Sequence, residues 1–91
     1  METQVIVQSP GSRRLKASRV TLSRGENIGE HITEGREEII IILKGEAVLV
    51  KGESSTRMKE GDIHHIGEGV LHNVRNESGQ ETEYVYVVCF C

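Results

Sequence analysis

The 91-residue chain has no tryptophan, one phenylalanine and two tyrosines. So few rings argue against a stacked platform for nucleobases or polyaromatic substrates. Lysine and arginine never run longer than the pair Arg13-Arg14, and the net charge is -3. That leaves no basic footprint for a nucleic-acid backbone. No apolar run, Ile39 to Leu43 included, is long enough to span a bilayer. The first residues lack the charged and apolar regions of a secretory signal, so a soluble, cytoplasmic protein that engages neither membrane nor nucleic acid is expected. Only two cysteines occur, Cys89 and Cys91. Two positions apart on a strand, they would share a face at roughly 6.5–7 Å, at or past the limit for a disulfide. Two reduced thiols are expected.

Helical periodicity is also missing. What the chain has instead is ten glycines punctuating short β-branched runs, the pattern of an antiparallel all-β domain. Eight strands are predicted: residues 4–7, 15–23, 37–43, 46–51, 55–59, 62–66, 71–76 and 82–90. Turn signals such as Lys44-Gly45, Lys51-Gly52-Glu53 and Glu60-Gly61-Asp62 separate them. Nothing suggests a second domain, so residues 1–91 are read as one. Arg57, Lys59 and Lys51 are the charges expected to discourage edge-to-edge pairing. Two strands are apolar on both faces: Ile39 to Ile42, and Ala47 to Val50. A sheet with one wet face should alternate, so the second face needs cover, and a homodimer is the simplest supply.

Three residues stand out as hard or borderline metal ligands: His31, Glu38 and His72. Imidazole and carboxylate suit Fe, Mn, Ni or Zn, and two histidines with one carboxylate are the donor set of non-haem iron oxygenases. Residue type alone says little, because surface histidines and glutamates are common. Spacing says more. Gly25 is followed by five residues, His31, Ile32, Thr33, four residues, Glu38, six residues and Gly45. Gly61 is followed by five residues, Gly67, one residue, Gly69, two residues, His72, three residues and Asn76.

These two stretches resemble the paired motifs of the cupin superfamily, from Arg24 to Asn76. The resemblance implies a small antiparallel β-barrel, the double-stranded β-helix or jelly roll, with one divalent metal ion (Fe, Mn, Ni or Zn) at its mouth. In the family, two histidines and a glutamate from the first motif join a histidine from the second. Here the second histidine is Thr33, and the family's proline is Gly67. The implied ligands are then His31, Glu38 and His72, with Thr33, a poor ligand, in the fourth place. Glu37 and Glu34 are alternatives, ranked below Glu38 because only Glu38 stands six residues before Gly45. Asn76 is expected to close a turn, as in the family.

On strands, His31 and Thr33 share a face, as do Glu38, Ile40 and Ile42, and His72, Val74 and Asn76. Ligands drawn from separate strands of a closed barrel are held rigidly above an apolar base. His64 and His65 point to opposite faces, and one of them, with His64 preferred, is a candidate general base. Tyr84 and Tyr86 share a face and are candidates to hydrogen-bond a small-molecule ligand. Two main classes of function follow, beside a third reading in which the cavity is empty and the barrel serves assembly. One is a metal-dependent dioxygenase, isomerase or decarboxylase acting on a small organic acid, sugar or diketone. The other is a non-catalytic ligand-binding or sensor module.

Overall fold

A computed structural model describes all of residues 1–91. It holds nine strands and no helix: β1 (Glu2–Val7), β2 (Leu15–Leu22), β3 (His31–Ile32), β4 (Arg36–Lys44), β5 (Glu46–Lys51), β6 (Ser54–Lys59), β7 (Ile63–Ile66), β8 (Leu71–Arg75) and β9 (Thr82–Phe90). Eight lie where the sequence predicts strands. The ninth, β3, is only two residues long, too short for any alternation to register. Every strand pairing is antiparallel. One sheet runs β1-β2-β9-β4-β7 and the other β3-β8-β5-β6. Both cysteines are free, as expected.

The two sheets face each other across an apolar core. Val20, Leu22, Ile40, Ile42, Ile66 and Tyr84 come from the five-stranded sheet, and Ala47, Leu49, Met58 and Val74 from the other. Each of these sits on one parity of its strand, which is the period-2 rule of a half-buried sheet. The opposite parity of β4 and β9 is less covered. Ile39 is 42% exposed, and Leu15 and Ile63 on flanking strands are 45% and 65% exposed. Of the charges assigned to sheet edges, Arg57 and Lys59 do lie on an edge strand, β6. Lys51 does not. It ends β5, which pairs on both sides.

One glycine is fixed by space as well as by backbone. Gly45 turns β4 into β5 with φ 78°, and a Cβ there would stand 2.8 Å from the Glu81 carbonyl oxygen and 3.0 Å from Thr82 Oγ1. Thr82 is fully buried and donates its hydroxyl to the Glu46 carbonyl. The β4–β5 turn is thereby pressed onto the start of β9. That contact fixes the end of β4 against the start of β9.

Candidate metal centre

Three strands from both sheets deliver the candidate ligands. His31 on β3 stands directly opposite His72 on β8. Glu38 comes across the barrel from β4, on the face it shares with Ile40 and Ile42. The ligand atoms of the three residues all lie within 4.8 Å of one another. His72 is 1% exposed and Glu38 7% exposed. The imidazole rings meet edge to face with centroids 4.1 Å apart, so each ring limits the other's rotation.

Each histidine is oriented the same way. His31 Nδ1 lies 3.1 Å from the Gly29 carbonyl oxygen, and His72 Nδ1 lies 3.0 Å from that of Val70. A carbonyl oxygen can only accept, so Nδ1 carries the proton in both rings. Both Nε2 atoms are then left for the centre of the site, which is how metal-bound histidines are commonly held. His72 Nε2 stands 3.2 Å from Glu38 Oε2. With Nδ1–H already committed, a neutral His72 would set one lone pair against another, so a proton or a metal cation must lie between them. Two donors bound to one ion at ~2.0–2.2 Å would themselves stand roughly 3.0–3.4 Å apart. The pair already has that separation, and the residues therefore fit a divalent metal.

Without a metal, the proton takes that place. Burial alone would pull the His72 imidazolium down. The hydrogen bonds to Glu38 and the Val70 carbonyl and the charge of Glu38 outweigh it, with Arg36 opposing, and hold His72 above the usual histidine range.

Thr33, in the fourth ligand place, is turned away from this role. It is fully buried. Its hydroxyl donates to the Gly67 carbonyl and accepts the Val70 N–H at 3.2 Å. The two departures from the family pattern, Thr33 and Gly67, are therefore bonded to each other. The threonine clamps the 67–70 turn that leads into β8 and sets the Val70 carbonyl on which His72 is aligned. Thr33→Val keeps the shape and removes both bonds. We expect it to cost about 1–3 kcal/mol, read in a denaturant melt, with metal stoichiometry unchanged. Loss of metal with unchanged stability would instead make the hydroxyl a ligand.

A cavity of about 240 Å³ opens beside the triad. It is lined by His31 and Glu38, by Ile28, Ile40, Val20 and Val88, by Met1 and Thr3 of the β1 side, and by Lys16, Arg36, Tyr84 and Tyr86. Both tyrosines thus sit where a ligand could meet them. Burial, with Glu38 and Tyr86 nearby, pushes the Tyr84 hydroxyl up, so it keeps its proton and serves as a donor. His64 faces inward by register, opposite Ile40, but is not among the residues lining this cavity. His65 faces out and bonds Glu37 at 2.9 Å. That contact places Glu37 on the outer face, and Glu34 is exposed in the turn after β3, so neither competes with Glu38. Lys16 and Arg36 were not singled out in the sequence. The signal was available for Arg36, which stands two residues before Glu38 and so shares its face.

The chain is thus a small two-sheet β-barrel in which two histidines and a glutamate, a set consistent with a metal site, converge beside a cavity. The chain belongs to the cupin domain family, whose model matches residues 18–88. It is 31% identical over 71 residues to an oxalate-binding protein of Thermotoga maritima, a match covering 78% of this chain and 59% of that protein. This chain thus spans well under two thirds of that relative's length. Among solved structures, a predicted oxalate decarboxylase from Thermotoga maritima superposes with a TM-score of 0.80 at 29% identity, over 84% of this chain and 66% of the other. TT1209 from Thermus thermophilus superposes with a TM-score of 0.90 at 27% identity, over 99% and 83% of the two chains. No helix is long and apolar enough to cross a membrane.

Proposed function

We propose that this chain is a metal-centred receptor for a small organic acid, with His31, Glu38 and His72 holding one divalent ion (Fe, Mn, Ni or Zn) and the ligand filling the ion's remaining positions from the cavity. The observation that carries this reading is the pair of backbone-aligned imidazoles whose free Nε2 atoms converge with a buried carboxylate. Three protein ligands leave coordination positions open. The oxalate-binding relative supports an oxygen-donor acid as the occupant. A cavity of about 240 Å³ lies below the size of a drug-like pocket, which supports a ligand of a few carbon atoms.

A bound divalent ion would supply Lewis-acid polarisation of such a ligand, and iron would add redox chemistry. Beyond the triad, the polar side chains lining the cavity are Thr3, Lys16, Arg36, Tyr84 and Tyr86, all of which offer hydrogen-bond donors. They suit holding an acid better than removing a proton from it. A decarboxylase, isomerase or dioxygenase is the second reading, favoured by the open coordination positions. Calorimetric titration of the metal-loaded protein with oxalate, alongside product analysis, separates the two. Saturable binding without product supports the receptor, product formation supports the enzyme, and no heat and no product would contradict both. We also propose that a second copy covers the outer face carrying Leu15, Ile39 and Ile63. Sedimentation at micromolar concentration should show a dimer, and a monomer would remove that proposal.

A further inference from the structure

The five ion pairs of the molecule leave out both Lys16 and Arg36. Both are half-buried, and both line the cavity beside the triad. Arg36 is poorly satisfied. A guanidinium carries five N–H donors. Here Nη2 reaches the Ile32 carbonyl at 3.3 Å, and Nε is buried with no partner. A partly desolvated cation without a counter-charge is costly to the fold. Two of them on one small cavity are unexplained by packing. Glu38 is the only acid in the lining, and a metal ion would consume its charge. With a divalent ion present, the cavity would be strongly positive in a chain whose net charge is -3.

Arg36 begins β4, on the face it shares with Glu38, and pairs with Phe90 at the end of β9. Along the strand it is displaced from the metal ligand by roughly 6.5–7 Å, a span that a short ligand can bridge with the arginine side chain reaching toward it. Lys16, opposite Val88 on β2, approaches the same cavity from the next-but-one strand.

We infer that Arg36 is the anchor for a second carboxylate: the ligand is a short dicarboxylate, with one carboxylate on the metal and the other on the Arg36 guanidinium, and Lys16 adds positive charge beside it. This rests on the metal centre proposed above and narrows its ligand class. The planar fork of arginine matches a carboxylate in two parallel hydrogen bonds. Tyr84 and Tyr86 offer further donors to the carboxylate oxygens.

The test compares oxalate, malonate and succinate, each against its own monoamide, which keeps the size and removes one charge. Mn(II) uptake is measured first in the parent protein, in Arg36→Met and in Arg36→Lys. One equivalent at saturating Mn(II) is expected in all three, because Arg36 is not a ligand. In the Mn-loaded parent, at least one diacid should bind about 10- to 100-fold more tightly than its monoamide, the range for a charge-assisted hydrogen bond. That preference should collapse to near unity in Arg36→Met and be partly restored in Arg36→Lys. If arginine served only to pin the β3–β4 turn through Ile32, Arg36→Met would lower the melting temperature and leave the preference intact. Normal Mn uptake with no preference in the parent, or a preference that survives Arg36→Met, overturns the anchor while leaving the metal centre standing. Failure of the parent to take up Mn(II), Fe(II), Ni(II) or Zn(II) overturns both.

Discussion

His72→Ala is expected to abolish metal binding at micromolar concentrations. Removing a residue that merely orients a ligand costs about 10- to 100-fold in affinity, so removing one of only three protein ligands should exceed ~100-fold. The substitution also strips His31 of the ring that limits its rotation and leaves Glu38 buried without its partner. A milder arm keeps the barrel intact for comparison. His72→Gln retains a polar side chain near Glu38 and should fold, yet bind no metal.

The same residue sets a pH dependence. His72 in the metal-free fold is held above its unfolded value. Its stabilising contribution is therefore fully present below about pH 6.5, the unfolded histidine value, and is lost as pH rises through the elevated folded value. Metal binding must displace that proton, so metal affinity should rise over the same window. The metal-free protein should gain stability toward mild acid while the metal-loaded protein loses it. Parallel melts across pH check this, and curves of the same slope would contradict it.

Asn76→Ala is expected to be the most damaging substitution away from the ligands. Asn76 is 1% exposed. Its Nδ2 serves the carbonyls of Leu22, Ser23 and Gln80 at 3.0, 3.2 and 2.7 Å, and its Oδ1 accepts the N–H and hydroxyl of Ser78 at 3.0 and 2.7 Å. One side chain thus ties the end of β2, the end of β8 and the 77–80 turn together. Alanine would leave several of those groups buried and unpaired. We expect a loss of about 3 kcal/mol, which in a domain this small lowers Tm by roughly 12–24 °C. Asn76→Asp, which turns a carboxylate oxygen toward the same three buried carbonyl oxygens, should cost at least as much. A Tm drop of under about 4 °C for Asn76→Ala would show that the network contributes little.

Asn76 illustrates what could be read in advance. Its turn-closing role and the candidate triad were expected from the motif resemblance, while eight strands were legible because glycine punctuation and period-2 alternation are local signals. The remainder depends on pairs far apart in the chain. Nothing near Thr33 announces that its hydroxyl will meet Gly67, so the two motif departures looked independent until the 67–70 turn folded onto β3. The parity of His64 against His65 was undecidable until the pairing of Ile40 with His64 gave the register, and inward parity did not bring His64 into the cavity lining. Lys16 and Arg36 sit among other charges in the sequence, and only closure of the barrel reveals that they share a cavity without acidic partners.

The most direct test of the metal centre is elemental analysis after reconstitution with Fe, Mn, Ni and Zn, run on the parent protein beside His72→Ala. One equivalent of a divalent metal per chain in the parent and none in the mutant is the predicted result. No metal in either, or equal metal in both, would contradict it.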